Sequence, residues 1–134
     1  MSKQRVAVRQ VMTQNWIAVD GLNTIAEGLA QIQSQHVDAL IINKRDDNDE
    51  HGLVLLSDIG KQVLAKGRAP DRVNLYEIMA KPVISVAPNM DIRYCTRLFE
   101  RFGLSIAPVV DDGDVVGVVS YRELVLKGLS NETA

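Results

Sequence analysis

The first half of this chain is similar to the second half, and this internal repeat limits the fold more than any other feature. Met12 aligns with Met79 and Val19 with Val86, a constant offset of 67 residues. Later in each half the offset falls to 65, because Gly52 aligns with Gly117. An offset that persists over about 50 residues indicates a duplicated structural unit. We therefore predict two repeats, residues 1–66 and residues 67–134.

Each half has the same predicted order of elements, which is strand, helix, strand, strand, helix. Short apolar runs rich in β-branched residues predict the first strand of each half at residues 17–19 and 83–86. Paired apolar runs predict two hairpins, residues 39–42 with 52–56 and residues 106–110 with 115–119. Asp111-Asp112-Gly113-Asp114 is typical of a tight turn between the strands of the second hairpin. The pattern predicts an α+β fold.

The helices are predicted from apolar residues at helical spacing. One series begins at Ile25, another at Ile92, and residues 59–65 continue the first hairpin as a helix. Asn23 or Thr24 and Asn89 or Asp91 are suitable N-caps, and Gly103 is a suitable C-cap. Residues 66–72 contain the Gly and Pro expected of a linker between the halves.

Composition excludes several classes of function. The formal net charge of −2 and the scattered Lys and Arg residues argue against a nucleic-acid partner. The start of the chain lacks an apolar signal core, and no apolar run approaches the roughly 20 residues that span a bilayer. Cys95 is the only cysteine, so no internal disulfide forms. We expect a cytoplasmic protein without a membrane span.

A polar pair stands where the last hairpin becomes a helix. Ser120 and Glu123 are three residues apart, directly after the second apolar run of that hairpin. A helix start attracts phosphate through its unpaired N–H groups, and a carboxylate beside it can accept both hydroxyls of a ribose. The same residues also fit a capping box, in which the carboxylate returns to the Ser N–H. The pair therefore indicates a nucleotide site, a local cap, or both in alternation.

With these motifs the chain resembles a tandem pair of CBS domains, the regulatory module named after cystathionine β-synthase. The second half carries Met-x-x-Pro-x-x-x-Val (Met79, Pro82, Val86), IAPVVDD (residues 106–112) and GVVSYREL (residues 117–124); the first half carries VMT (11–13), VDALIIN (37–43) and GLVLLSDI (52–59). The resemblance implies two β-α-β-β-α repeats packed about a pseudo-twofold axis, with small sheets facing each other and helices outside. It also implies two clefts for adenosine ligands, namely AMP, ADP, ATP or S-adenosylmethionine.

The resemblance assigns residues to the second cleft. Ser120 and Glu123 would hold the ribose, and Arg122 would meet phosphate, with Lys81 as a weaker phosphate candidate. Around the base it places Ile84, Ser85, Val86, Ala107 and Pro108. In the first cleft Asp58 keeps the carboxylate position, but Leu55 stands where Thr or Ser is expected. Trp16 lies at the first strand of that weaker site, where it lines the cleft or packs.

No group of residues indicates catalysis or metal binding. The charged loop KRDDNDEH (residues 44–51) lacks the ligand spacing of a calcium loop and is predicted to be solvated. His36 ends a helix without a triad partner, and Cys95 falls on an apolar stripe. Met12 and Met79 are predicted to fill gaps in the core. We predict no enzyme activity, no metal and no required cofactor.

These features predict a regulatory module that senses an adenine nucleotide and passes the binding event to a partner protein or a dimer mate. We expect a homodimer, because the family associates through outer helices and the final helix carries Leu124, Val125 and Leu129. The alternative is a ligand-free module that only dimerises or docks. Leu55 favours the alternative in the first half, and Ser120 with Glu123 favours sensing in the second.

Overall fold

The structure, a computed structural model, describes residues 5–81 and 83–133, with side chains through Ser130. Pro82, which belongs to the predicted Met-x-x-Pro motif, lies outside the described residues. The chain divides into two compact units. Unit A is Trp16–Val83, and unit B combines the described residues up to Asn15 with those from Ile84 onward.

Unit A contains a three-stranded sheet and the longer helix of the first repeat, together with a short turn from the second repeat. Its elements are β1 (Ala18–Val19), α2 (Ile25–Gln35), β2 (Ala39–Ile42), β3 (Gly52–Leu55), α3 (Leu56–Ile59), a π-helical turn (Gly60–Leu64) and a 3-10 turn (Leu75–Glu77). β1 pairs with β2 in parallel, and β2 pairs with β3 antiparallel. The core includes Ile25, Leu40, Val54 and Leu75, none of which is exposed.

Unit B contains α1 (Val8–Val11), α4 (Ile92–Phe102), β4 (Ile106–Asp111), β5 (Asp114–Ser120) and α5 (Tyr121–Thr133). β4 and β5 form an antiparallel hairpin. Asp112 and Gly113 have φ of 51° and 83°, the left-handed backbone that a two-residue hairpin turn requires. The predicted tight turn is therefore confirmed. Val8, Cys95, Phe99, Val109 and Val119 are fully buried in the core of this unit.

The opening segment of each repeat packs on the hairpin of the other repeat. Thr13 donates its N–H to the Val118 carbonyl at 2.8 Å, and Ala80 donates to the Leu53 carbonyl at 2.9 Å. These are equivalent bonds under the sequence repeat. A Cβ added to Gly117 would lie 2.6 Å from the Met12 sulfur, and one added to Gly52 would lie 2.6 Å from the Met79 sulfur. The compact units thus exchange the opening segments of the two sequence halves.

The predicted helix ends agree with the structure. Thr24 caps α2, because its hydroxyl accepts the Glu27 N–H at 3.1 Å. Asp91 caps α4 by accepting the Arg93 N–H at 2.8 Å. Gly103 ends α4 with φ of 64°, and His36 ends α2 at the equivalent position with φ of 54°. A left-handed residue closes both helices, although only one repeat supplies a glycine.

The strand predicted at residues 83–86 is wrong in extent, because only a single bridge forms there, between Val86 and Val109. In unit A the Ile41 N–H donates to the Ile17 carbonyl, and this hydrogen bond extends the pairing of the first strand with the second. The counterpart of Ile41 in unit B is Pro108, which has no N–H to donate. The missing donor leaves too few hydrogen bonds for a longer strand.

Two further predictions about helices need correction. The helix predicted at residues 59–65 begins earlier, at Leu56, and changes to a π-helical turn at Gly60–Leu64. Leu124 is 3% exposed and belongs to the core of unit B, so it offers no surface to a dimer partner. Within the described part of the chain, no helix is long and apolar enough to cross a membrane.

Candidate functional site

Ser120 and Glu123 meet at the junction of β5 and α5. The Ser120 N–H and the Ser120 hydroxyl both donate to the same Glu123 oxygen, Oε1, at 2.8 Å. The Ser120 hydroxyl oxygen also accepts the Arg122 N–H at 3.2 Å. The carboxylate therefore makes the return bond of a capping box, while its Oε2 receives no hydrogen bond from a described residue. An acceptor remains available for a ligand hydroxyl without breaking the cap.

Pro108 also leaves a backbone acceptor at this end of the hairpin. In unit A the Ile17 carbonyl accepts the Ile41 N–H at 3.0 Å. The equivalent carbonyl in unit B belongs to Ile84, and it accepts no hydrogen bond from a described residue because Pro108 stands opposite it. The amino group of a nucleobase is a hydrogen-bond donor that matches such a free carbonyl. Sequence reasoning missed this effect, although a proline within a predicted strand was its signal.

The other residues assigned to the base differ in accessibility. Val86, Ala107 and Pro108 are buried, and the Val86 N–H donates to the Pro108 carbonyl at 3.0 Å. Ile84 is 37% exposed, and Ser85 is also exposed. Of the residues assigned to the base, Ile84 and Ser85 have side chains that a ligand can contact directly. Val86, Ala107 and Pro108 are buried and hold the segment that carries Ile84 and Ser85 against the hairpin.

The two phosphate candidates have different surroundings. Arg122 is exposed, and its guanidinium makes no ion pair with a described residue. Lys81 instead pairs with Asp49, whose side chain is only 9% exposed. Lys81, followed by the Arg45 N–H, holds the pKa of Asp49 well below its usual range. Arg122 is therefore the better placed of the two cations for a phosphate, and the loop predicted to be solvated is anchored through Asp49.

The equivalent position of the first repeat has fewer groups to offer. Asp58 accepts the Leu55 N–H at 2.8 Å, the same return bond that Glu123 makes to Ser120. Leu55 has no hydroxyl, and the Ile17 carbonyl is already paired in the sheet. Trp16 is partly exposed next to this strand. The structure thus shows two similar helix starts of which only one has both a hydroxyl and a free backbone carbonyl.

The described residues show no group of three or more His, Cys, Asp or Glu side chains placed to hold a metal. Cys95 is fully buried in the core of unit B, as its place on the apolar stripe predicts. Burial raises the pKa of its thiol to about 11. A neutral, inaccessible thiol is a poor nucleophile.

The raised pKa of Cys95 predicts a loss of stability at high pH. The unfolded thiol ionises near pH 9 and the folded one near 11, so the unfolded state binds fewer protons between these values. The stability that the neutral Cys95 thiol contributes to the folded state is fully present below pH 9. It is lost as the pH rises through about 11. Relative to Cys95→Ala, we expect the wild type to lose about 2–3 kcal/mol over that range in urea unfolding. Parallel pH profiles of the two proteins would contradict this expectation.

Comparison with known proteins shows the family and the fold class of this chain. The sequence model described as CBS domain matches residues 75–129. A hexameric CBS-CP12 protein from bloom-forming cyanobacteria has 31% sequence identity and a TM-score of 0.89, over 92% of this chain and 68% of that one. The chain belongs to the CBS domain family. The predicted resemblance and the α+β class of the CBS pair are thereby confirmed.

Other CBS relatives are more distant. An uncharacterized protein from Methanopyrus kandleri is 26% identical over 122 residues, and the present chain spans 61% of its length. The CBS domain pair of protein MJ0100, in complex with 5′-methylthioadenosine and S-adenosyl-L-methionine, matches with a TM-score of 0.80 at 22% identity. That alignment covers 98% of this chain and 100% of the pair, and at this identity it establishes the shared fold alone.

Proposed function

We propose that this CBS protein is a regulatory module that binds an adenosine ligand at the β5–α5 junction of its second repeat. The observation that carries the proposal is the junction itself, where Glu123 keeps one oxygen free while its other oxygen closes the helix cap. Ribose hydroxyls are donors that need such acceptors when they leave water. The site therefore fits a nucleoside better than a bare anion.

The base and phosphate ends of the proposed ligand have matching groups. The free Ile84 carbonyl accepts a hydrogen bond from an exocyclic amino group such as that of adenine. Ser85 lies beside it and is exposed. The Arg122 guanidinium follows Ser120 by two residues and supplies a charge-assisted hydrogen bond to a phosphate. Both ligands named for the MJ0100 pair contain adenosine, which supports this class of ligand.

A ligand panel tests the proposal by thermal denaturation. We expect AMP, ADP, ATP, S-adenosylmethionine or 5′-methylthioadenosine to raise the melting temperature by several degrees, since a ligand at 100 times its Kd adds about 2.7 kcal/mol. GMP serves as the base control. Arg122→Ala should weaken AMP and ATP more than 5′-methylthioadenosine, because only the first two have phosphates. If no adenosine compound shifts the melting temperature, the proposal is wrong.

We further propose that the module forms a homodimer and transmits ligand binding to a partner protein in the cytoplasm. On α5, Val125 is 45% exposed and Leu129 is 56% exposed, which leaves apolar surface to cover. The lone buried cysteine is consistent with a reducing compartment. We expect light scattering at roughly 100 μM to give twice the chain mass, and Val125→Asp with Leu129→Asp to give the monomer. A wild-type monomer would contradict the dimer.

The second candidate function is a ligand-free interaction module. The first repeat favours it, because Leu55 and the paired Ile17 carbonyl leave Asp58 as a single polar contact. Under this alternative the dimer forms, but no adenosine compound changes the melting temperature. The two measurements together therefore separate the candidates.

A further inference from the structure

A polar pocket lies beside α1 in unit B, and none of its lining residues belongs to the proposed adenosine site. Its volume is about 180 Å³, and it is open to solvent on one side. It is lined by Arg5, Ala7, Arg9, Gln10 and Asn89. The lining thus offers two guanidinium groups and two carboxamides, and none of the described lining residues carries a carboxylate.

The two arginines of the pocket are held differently. Arg5 donates from Nη2 to the Asn89 carbonyl at 3.0 Å, and its Nε lies 3.7 Å from an Asp91 carboxylate oxygen. These contacts fix one edge of its guanidinium. Arg9 is exposed, and its side chain forms no hydrogen bond or ion pair with a described residue. Arg9 therefore brings to the pocket a positive charge that is not paired with any described residue.

At the start of α1, Gln10 stands where four other helix starts have a negatively charged carboxylate. Its Oε1 accepts the Ala7 N–H at 2.8 Å, the return bond of a capping box. Four other starts make the same bond with a carboxylate, from Glu27, Asp58, Glu77 and Glu123. Because an amide keeps this bond without a charge, Gln10 preserves the cap, and its Nε2 remains a donor.

The repeat shows that the fold does not require these basic and neutral residues. At the equivalent positions of unit A, Tyr76 replaces Arg9, Glu77 replaces Gln10 and Leu22 replaces Asn89. Unit A forms the same turn with these residues, since Leu75 donates to the Asn23 carbonyl as Val8 donates to Met90. Arg72 stands at the position of Arg5, so the lining residues that distinguish unit B are Arg9, Gln10 and Asn89.

We propose that this pocket binds a small phosphate-type oxyanion, either inorganic phosphate or the phosphate of a small ester, through Arg5, Arg9 and the Gln10 amide. Guanidinium groups match phosphate oxygens in geometry and charge. The open pocket has room for one such group with its remaining water. The site goes beyond the adenosine proposal, because it shares no residue with the β5–α5 junction.

Calorimetric titration of the full chain with inorganic phosphate, at constant ionic strength against chloride, tests the proposal. We expect one saturable site per chain. Gln10→Glu keeps the capping bond but adds a carboxylate, and Arg9→Tyr copies unit A, so both variants should fold. Each variant should weaken phosphate binding by about tenfold or more, because one loses a charge-assisted hydrogen bond and the other places a negative charge next to the phosphate.

A comparison of two ligands identifies the source of the phosphate group. If glycerol phosphate binds at least as tightly as inorganic phosphate, the site takes phosphate esters. If inorganic phosphate binds more tightly, the site takes the free ion.

Matched controls locate the binding. Arg97→Ala removes an exposed arginine of α4 that does not line the pocket, so phosphate affinity should stay within about twofold. Glu123→Ala should leave the phosphate titration unchanged even if adenosine binding fails. Heats that do not saturate, an unchanged affinity in Gln10→Glu, or a loss in Arg122→Ala instead would each overturn the proposal.

Discussion

Replacing Glu123 with alanine is expected to abolish adenosine binding at ordinary ligand concentrations. The change removes the free Oε2 acceptor and the partner of the Ser120 hydroxyl together. A hydrogen bond to a charged group is typically worth about 1.5–3 kcal/mol. Each ligand hydrogen bond that the carboxylate no longer accepts therefore reduces affinity roughly 10- to 150-fold. Calorimetry with AMP, or with the best ligand of the panel, measures the loss.

The first repeat supplies the matched control for this experiment. Asp58→Ala removes the same return bond from the equivalent helix start. That start binds a ligand poorly, because Leu55 has no hydroxyl and the Ile17 carbonyl is already hydrogen-bonded in the sheet. We expect about one site per chain, retained in Asp58→Ala. Glu123→Asp should keep the cap, because Asp58 makes that bond to Leu55 at 2.8 Å, and it separates lost binding from lost folding. Two equal sites, or loss only in Asp58→Ala, would contradict the assignment.

Truncation of Phe99 to alanine is expected to cause a large loss of stability. Its ring is fully buried and meets the Tyr121 ring edge-on, with 5.4 Å between centroids and 84° between planes. Phe→Ala changes in cores typically cost about 3–5 kcal/mol, out of a total stability of about 5–15 kcal/mol. The urea midpoint of unfolding measures the effect.

Two variants control for the aromatic ring and for the repeat. Phe99→Leu keeps most of the volume but loses the ring pair, so we expect a cost below about 2 kcal/mol. Ile32→Ala truncates the equivalent residue of unit A, which is 7% exposed and smaller, and should cost less than Phe99→Ala. A Phe99→Ala cost under about 1 kcal/mol would show that this ring does not support the core.

Local signals were sufficient wherever neighbouring residues decide the structure. The caps at Thr24 and Asp91, the left-handed Gly103 and the Asp112-Gly113 turn depend on bonds within a few residues. The sequence predicts the glycine and the turn directly, and it narrows each cap to two neighbouring candidates. The residues assigned to binding stay predictions, because no ligand contact tests them. The cap between Ser120 and Glu123 was predicted as the local alternative, and the structure contains it.

By itself, the sequence determined the duplication, the α+β class and the position of the polar junction, because these depend on periodicity and short spacing. Only the tertiary structure decided which groups at that junction are free. Pro108 acts on Ile84 across 24 residues of chain by failing to donate, and Asp49 occupies Lys81 across 32. Such pairings depend on which strands and loops come together, and no local pattern records whether a donor will be opposite an acceptor.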